Sequence, residues 1–189
     1  NINFLIGSGL SCPFLETLGN IEKWLSKISG PNDEISKIVK YSIYKEYFEK
    51  VMLPNLTKKS QSGSFKETME GYVSLLKTWN AILGKRENNL IPNLINCFTT
   101  NIDVFLEKAA EEIKIVYSDG FSGSFVSEFS EGNFNKLVST TSSRYGNIAH
   151  VPNFNIIKMH GGVNWNITGD KLSNDINLSA VKEIYDSIN

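Results

Sequence analysis

The chain has 189 residues, a formal net charge of −1 and a pI near 6.2, with 41% hydrophobic and 11% aromatic residues. That is apolar material for one domain, or one domain with a small lobe, and the near-neutral charge argues against direct nucleic-acid binding, which leaves a basic face. No run is apolar for the ~20 residues of a membrane helix, and no charged-then-apolar leader is visible.

Ile2 to Ile6 is a short apolar run broken only by Asn3, and it reads as a buried strand ended by Gly7. Pro13 suits the first turn of a helix, and Leu15, Leu18, Ile21, Leu25 and Ile28 follow at helical spacing to a stop at Gly30-Pro31. Asp33 starts a second helical pattern, with Ile35, Ile38, Val39, Ile43, Tyr47, Phe48 and Val51 on or near one face, and Pro54 ends it. After a polar stretch at 58–64, a third helix buries Phe65, Met69, Tyr72, Val73, Leu76, Trp79 and Leu83. Residues 31–90 are therefore expected to form a small helical lobe inserted between strands, its aromatics serving as core or as a wall of the substrate cleft.

Leu94 to Phe98 is the next strand, Asp103 to Glu112 a helix, and Ile113 to Tyr117 another strand leading into Asp119-Gly120-Phe121. Residues 122–153 are rich in Ser, Asn, Gly and Phe without a sustained period, and read as loops with short strands. Phe154 to Met159 is the last clear strand, and Ser179 to Ile188 a helix. Strands alternating with helices predict an α/β fold: a Rossmann-like parallel sheet with helices on both faces and the small inserted lobe. Right-handed crossovers then bring every strand-end loop to one edge, where open α/β sheets hold ligands.

Three motifs sit at those strand ends. Gly7-Ser8-Gly9-Leu10-Ser11 has the small residues that let a backbone approach a phosphate at a helix start. It departs from the Gly-x-Gly-x-x-Gly fingerprint, because Cys12 stands where the third Gly would be. No Gly-Lys-Ser/Thr follows, so it is not a P-loop. Thr99-Thr100-Asn101-Ile102-Asp103 has a local reading as a helix entry, with Asn101 or Asp103 as N-cap. Lys158-Met159-His160-Gly161-Gly162, with Trp165 shortly after, places an imidazole at a strand end; this side chain titrates near neutrality and can accept a proton. His150 matches no motif.

The three motifs in this order resemble those of the sirtuin family, whose Thr-Gln-Asn-Ile-Asp signature differs here by Thr100 for Gln, and whose His-Gly motif is matched by His160-Gly161. The resemblance spans about residues 2 to 165 and rests on the motifs, not on the helices between them. It implies an NAD+ site with Gly7, Ser8, Gly9, Ser11, Thr100, Asp103 and Gly161 binding the dinucleotide. Asn101 would hold the ribose or the attacking water, Asp103 the nicotinamide carboxamide, and His160 would be the general base.

The chain departs from the family's protein deacylases. It has two cysteines, Cys12 and Cys97, so the two zinc-binding Cys pairs are absent and no metal is expected. Both read as small buried hydrophobes, with Cys12 the alternative candidate for a reactive thiol near a helix start. The deacylases' Gly-Ile-Pro-Asp-Phe-Arg run is replaced by Ser11-Cys12-Pro13-Phe14-Leu15-Glu16. The pattern is closer to the sirtuin-like effectors of bacterial anti-phage systems. That resemblance implies NAD+ hydrolysis to nicotinamide and ADP-ribose, in a cytoplasmic, homo-oligomeric effector of abortive infection. The partner would be a sensor or ATPase, such as a HerA-type ATPase, an Argonaute-type or a STAND-type module. The alternatives are an NAD-dependent protein deacylase and a non-catalytic NAD or ADP-ribose sensor. The chain has no initiator Met and opens inside a strand, so a longer protein is expected, and its Asn/Lys/Ile-rich, Arg-poor composition fits an AT-rich bacterial genome.

Overall fold

The computed structural model describes residues 2–12, 14–16, 21–28, 34–56, 62–86, 92–141, 146 and 148–188. In chain order the elements begin with β1 (Ile2–Ile6), α1 (Ile21–Lys27), α2 (Glu34–Tyr47), α3 (Gly63–Gly84), β2 (Leu94–Thr99), α4 (Phe105–Glu112) and β3 (Val116–Ser118). There follow β4 (Phe121–Ser122), β5 (Glu128–Phe129), β6 (Ser139–Thr141), β7 (Ile148–His150), β8 (Asn153–Lys158), β9 (Trp165–Thr168), β10 (Lys171–Asn174) and α5 (Ser179–Ile188).

Four of the strands form one parallel sheet in the order β1-β2-β8-β3, flanked by helices, so the fold is Rossmann-like α/β. The registers Ile2↔Ile95, Phe4↔Cys97, Ile95↔Phe154 and Cys97↔Ile156 put these side chains on one face, because successive strand residues point to opposite sides. On that face they meet Met69, Tyr72, Leu76 and Leu83 of α3 and Phe105, Leu106, Ala109 and Ala110 of α4 in a single core. α3 and α4 lie side by side. Burial of this core removes the apolar surface that drives folding. It also pushes the Cys97 thiol up to about 12, so that residue is an inert hydrophobe as expected.

The opposite face carries an amide ladder at the aligned positions Asn3, Asn96 and Asn155. Asn155 donates to Asn96 (2.9 Å), and Asn96 donates to Asn3 (2.8 Å). The Asn155 amide also donates to the Phe134 carbonyl in the 3-10 turn Glu131–Asn135.

Several elements differ from the expectation. Of the helix expected from Pro13, the described part is Ile21–Lys27; Ser8–Leu10 forms a single 3-10 turn, and the Phe14 and Leu15 amides close a further turn on the Ser11 carbonyl. Pro13, Leu18, Gly30, Pro31 and Asp33 lie outside the described residues. α2 forms as expected but buries none of its residues, and Ile35 and Ile38 are 71% and 63% exposed. Burial starts only beyond it, at Phe48 and Val51 in a π turn. Within the 31–90 segment, α3 belongs to the helical layer on the sheet, and α2 stands off it.

Pro54 has no N–H to continue the helix, and the Asn55 side chain donates to the Val51 carbonyl (2.7 Å). Its oxygen accepts from the Val104 amide (3.4 Å), tying the lobe to the start of α4. β3 is shorter than expected because residues 113–115 close α4, with Lys114 at φ +56°. The β9–β10 hairpin, turning at Gly169 (φ +61°), was not expected; it joins β5 and β4 in a second, antiparallel sheet.

Candidate active site

The strand ends converge because their backbones are tied to one another. The Thr100 amide donates to the Ile6 carbonyl, the Met159 amide to Thr99 and the Val163 amide to Ile102. The segments after β1, β2 and β8 therefore meet at the carboxyl edge of the sheet, as the crossover rule requires. A cleft of about 200 Å³ opens there, lined by Ser8, Ser11, Leu15, Glu16, Val51, Thr100, Asn101, Ile102, Asp103 and His160. That is below the ~300 Å³ of a drug-sized pocket, so it can enclose only part of a dinucleotide. Of the residues singled out in sequence, Ser8, Ser11, Thr100, Asn101, Asp103 and His160 line it. Gly7, Gly9 and Gly161 are not in the lining but adjoin residues that are.

The floor is a buried hydrogen-bond network. The Ser11 hydroxyl donates to Asp103 Oδ2 (2.6 Å) and lies 2.8 Å from the Tyr72 hydroxyl. Asn101 Nδ2 lies 3.1 Å from each of the Gly7 carbonyl, Ser11 Oγ and Tyr72 Oη. Asn101 Oδ1 is buried with no partner among the described residues. Asp103 Oδ1 accepts from the Phe105 amide (3.2 Å), so this carboxylate also caps the first turn of α4, as the local reading held. Burial pushes the Asp103 carboxyl above its ordinary value, against the hydrogen bonds from Ser11 and Phe105 and the charge of Lys158. Burial likewise raises the Tyr72 hydroxyl, with the Asp103 charge adding to it.

The end of β8 supplies the other wall. His160 is exposed and makes no hydrogen bond among the described residues. Gly161 has φ +78°, a conformation that suits glycine. A Cβ at Gly162 would come within 2.5 Å of Asn164 Oδ1 and 3.0 Å of Lys158 Nζ, so a side chain there would have to displace those two. Lys158 points into the core face with Phe154 and Ile156, and a buried ammonium there requires partners. It has them in Glu107 Oε1 (2.7 Å), the Asp103 carbonyl (2.6 Å) and Asn164 Oδ1 (3.5 Å).

At the end of β1, side chains added at Gly7 or Gly9 would meet nothing within 4 Å. The fold does not need glycine there; the missing side chains leave open space beside the cleft. The positive helix end expected after Gly9 is replaced by the 3-10 turn, whose Leu10 and Ser11 amides are spent on the Gly7 and Ser8 carbonyls. Cys12, expected to be a buried hydrophobe, is instead exposed, and its thiol donates to the Leu15 carbonyl (3.4 Å).

Sequence reading missed Tyr72 as a polar participant and missed the Lys158–Glu107 pair. A Lys in the inward register of an apolar strand was the available signal for the pair. Asp119 lies apart from the cleft, in a second cavity of about 380 Å³ that it lines with Glu107, Lys108 and Glu111. Its neighbour Gly120 (φ +88°) is packed so that a Cβ would strike Phe129 and Phe134, giving this motif a structural role. Among the described residues no group of His, Cys, Asp and Glu is clustered to hold a metal, and no helix is long and apolar enough to cross a membrane. No family model matches the chain, and no curated protein matches it.

Proposed function

We propose that this chain is a sirtuin-like NAD+ hydrolase that cleaves the nicotinamide–ribose bond. The observation that carries the reading is the meeting of the three strand-end motifs in one cleft. There Asn101, whose side-chain oxygen has no hydrogen-bond partner among the described residues, and His160, whose imidazole makes none among them, line the same cleft. Leu15, Val51 and Ile102 supply an apolar wall for the nicotinamide ring, and the open space at Gly7 and Gly9 admits a pyrophosphate against the backbone.

Nicotinamide leaves with the electron pair of the C–N bond, which neutralises its cationic ring, so no acid is required. The ribose carbon becomes oxocarbenium-like, as in glycoside cleavage. Asn101 Oδ1 accepts a hydrogen bond from the water or a ribose hydroxyl, and His160 takes the proton that water loses as it adds. ADP-ribose, nicotinamide and one proton result. By the same resemblance, we propose the role of a toxic effector in bacterial anti-phage defence, working as a homo-oligomer with a sensor or ATPase partner.

The test is NAD+ consumption followed by chromatography, with Asn101→Ala and His160→Ala. Nicotinamide and ADP-ribose should form without any peptide, and each variant should lose about 10²-fold or more in kcat. Unchanged turnover in both folded variants sinks the proposal. Turnover only with an acylated peptide makes the chain a deacylase, and NAD+-dependent assembly without turnover makes it a sensor.

A further inference from the structure

Tyr72 lies in the middle of α3, is fully buried at 0% exposure, and is packed against Phe105. Its ring fills the sheet–helix core, but its hydroxyl does not face an apolar neighbour. It reaches Ser11 Oγ and Asn101 Nδ2 under the cleft floor. A buried hydroxyl here would be costly without partners, and the direction of its hydrogen bonds follows from the groups around it.

The Ser11 hydroxyl has one proton, committed to Asp103 Oδ2 at 2.6 Å. Ser11 Oγ can then only accept, so Tyr72 is the donor in their 2.8 Å contact. With its own proton spent, the Tyr72 oxygen is left as an acceptor facing Asn101. The Gly7 carbonyl, on the same carboxamide, is an acceptor at all times. Together with Ser11 Oγ, which also accepts from Asn101 Nδ2 (3.1 Å), these acceptors select the nitrogen of Asn101 for the inner position and leave the oxygen with no partner among the described residues.

We infer that Tyr72 is a positioning residue for the site, its hydroxyl holding the Asn101 carboxamide nitrogen-inward so that the oxygen is the acceptor left for a ligand. The chain runs in one sense, Asn101 N–H to Tyr72 to Ser11 to the Asp103 carboxylate. α3 is thus tied to the chemistry through a single atom. The kinetic part of this inference rests on the proposed function; the orientation of the carboxamide does not.

The experiment is Tyr72→Phe, which keeps the ring and removes the hydroxyl, with Leu76→Ala as a control. Leu76 is one turn further along α3, is 1% exposed and belongs only to the apolar core. The side-chain amide resonances of Asn101 are followed by ¹⁵N NMR and assigned by their loss in Asn101→Ala, and NAD+ turnover is measured in parallel. Tyr72→Phe should shift those resonances and speed their proton exchange about tenfold. It should lower kcat about tenfold to a hundredfold, as small misplacements do, with KM within about threefold. Leu76→Ala should lower the melting temperature and leave Asn101 as in the wild type.

An Asn101 carboxamide unchanged in Tyr72→Phe overturns the inference, as does an equal disturbance in Leu76→Ala. If Tyr72→Phe does not fold, exchange in the wild type decides: protected Asn101 protons support the inference, and freely exchanging ones overturn it. If the wild type does not turn over NAD+ but Asn101 loses its protection in Tyr72→Phe, the proposed function fails and the positioning role stands.

Discussion

The two strand ends that wall the cleft are built in opposite ways. At the end of β2, Asn101 and Asp103 are held by Ser11, Tyr72 and the backbone of β1 and α4, and only Asn101 Oδ1 is left over. At the end of β8, His160 is exposed and bonded to nothing among the described residues. Yet two residues before it, the buried Lys158 ammonium is held by Glu107 and the Asp103 carbonyl. The anchor, Lys158, closes β8, and the free group, His160, lies two residues beyond it. A fixed amide suits orientation of a ligand, and an unbonded imidazole suits proton transfer.

The largest effect on this contrast should come from Lys158→Met. It leaves Glu107 as a buried carboxylate without its cation, which costs about 3–5 kcal/mol where one partner of a buried pair is removed. The Lys158 and Glu107 side chains are only 2% and 10% exposed, so solvent screens the pair little. Urea unfolding should show that loss, and a cost under ~1 kcal/mol would mean the anchor is not an anchor. His160→Ala should do the reverse. It should leave the unfolding free energy within ~0.5 kcal/mol of the wild type, as for an exposed site, while NAD+ turnover falls. A variant that lost stability together with turnover would erase the distinction between the two residues.

Asp103 sharpens the comparison through pH. Its folded-state pKa is raised by burial above the ordinary 3.8, so between those two values the folded state holds more protons than the unfolded one. Stability from this group is then full below the unfolded value and is lost as pH climbs through the folded value. Asp103→Asn cannot ionise. Its stability relative to the wild type should therefore improve as pH rises from about 4 towards neutrality, although the site loses its carboxylate. Paired urea titrations at several pH values measure this difference and cancel the other carboxylates, among them Asp175, which shifts the opposite way. Burial raises it, but hydrogen bonds from Ser179 and Asn177 outweigh that and leave its pKa lowered.

The strand ends were legible because their period is short and their punctuation strong. Apolar runs stopping at Gly7, Thr100 and His160 imply a parallel sheet, and crossover handedness then gathers the loops on one edge. The rest was hidden for specific reasons. Tyr72 sits at core spacing on α3 and is a core residue, so nothing in the period distinguishes its hydroxyl from a bystander. The helix expected at Pro13 extended a stripe into a segment where the Ser11 carbonyl instead closes a tight turn. The β9–β10 hairpin did carry a signal, the Gly169-Asp170 pair between short polar strands, but its alternation is weak because its outer face is exposed.

α2 is where periodicity misled most, and it supports the smallest prediction. Its stripe is as regular as that of α3, yet a stripe reports only that a helix can be covered, not that this chain covers it. α3 places its stripe on β1, β2 and β8, whereas Ile35 and Ile38 of α2 stay open to solvent. Ile38→Lys should therefore change stability by no more than ~0.5 kcal/mol. Leu76→Ala, at the equivalent kind of position on α3, should cost about 2–5 kcal/mol. Urea unfolding of the two variants compares them directly. If Ile38→Lys cost as much as Leu76→Ala, the α2 face would have to be buried in solution, and the open side of the lobe would be an interface rather than a surface.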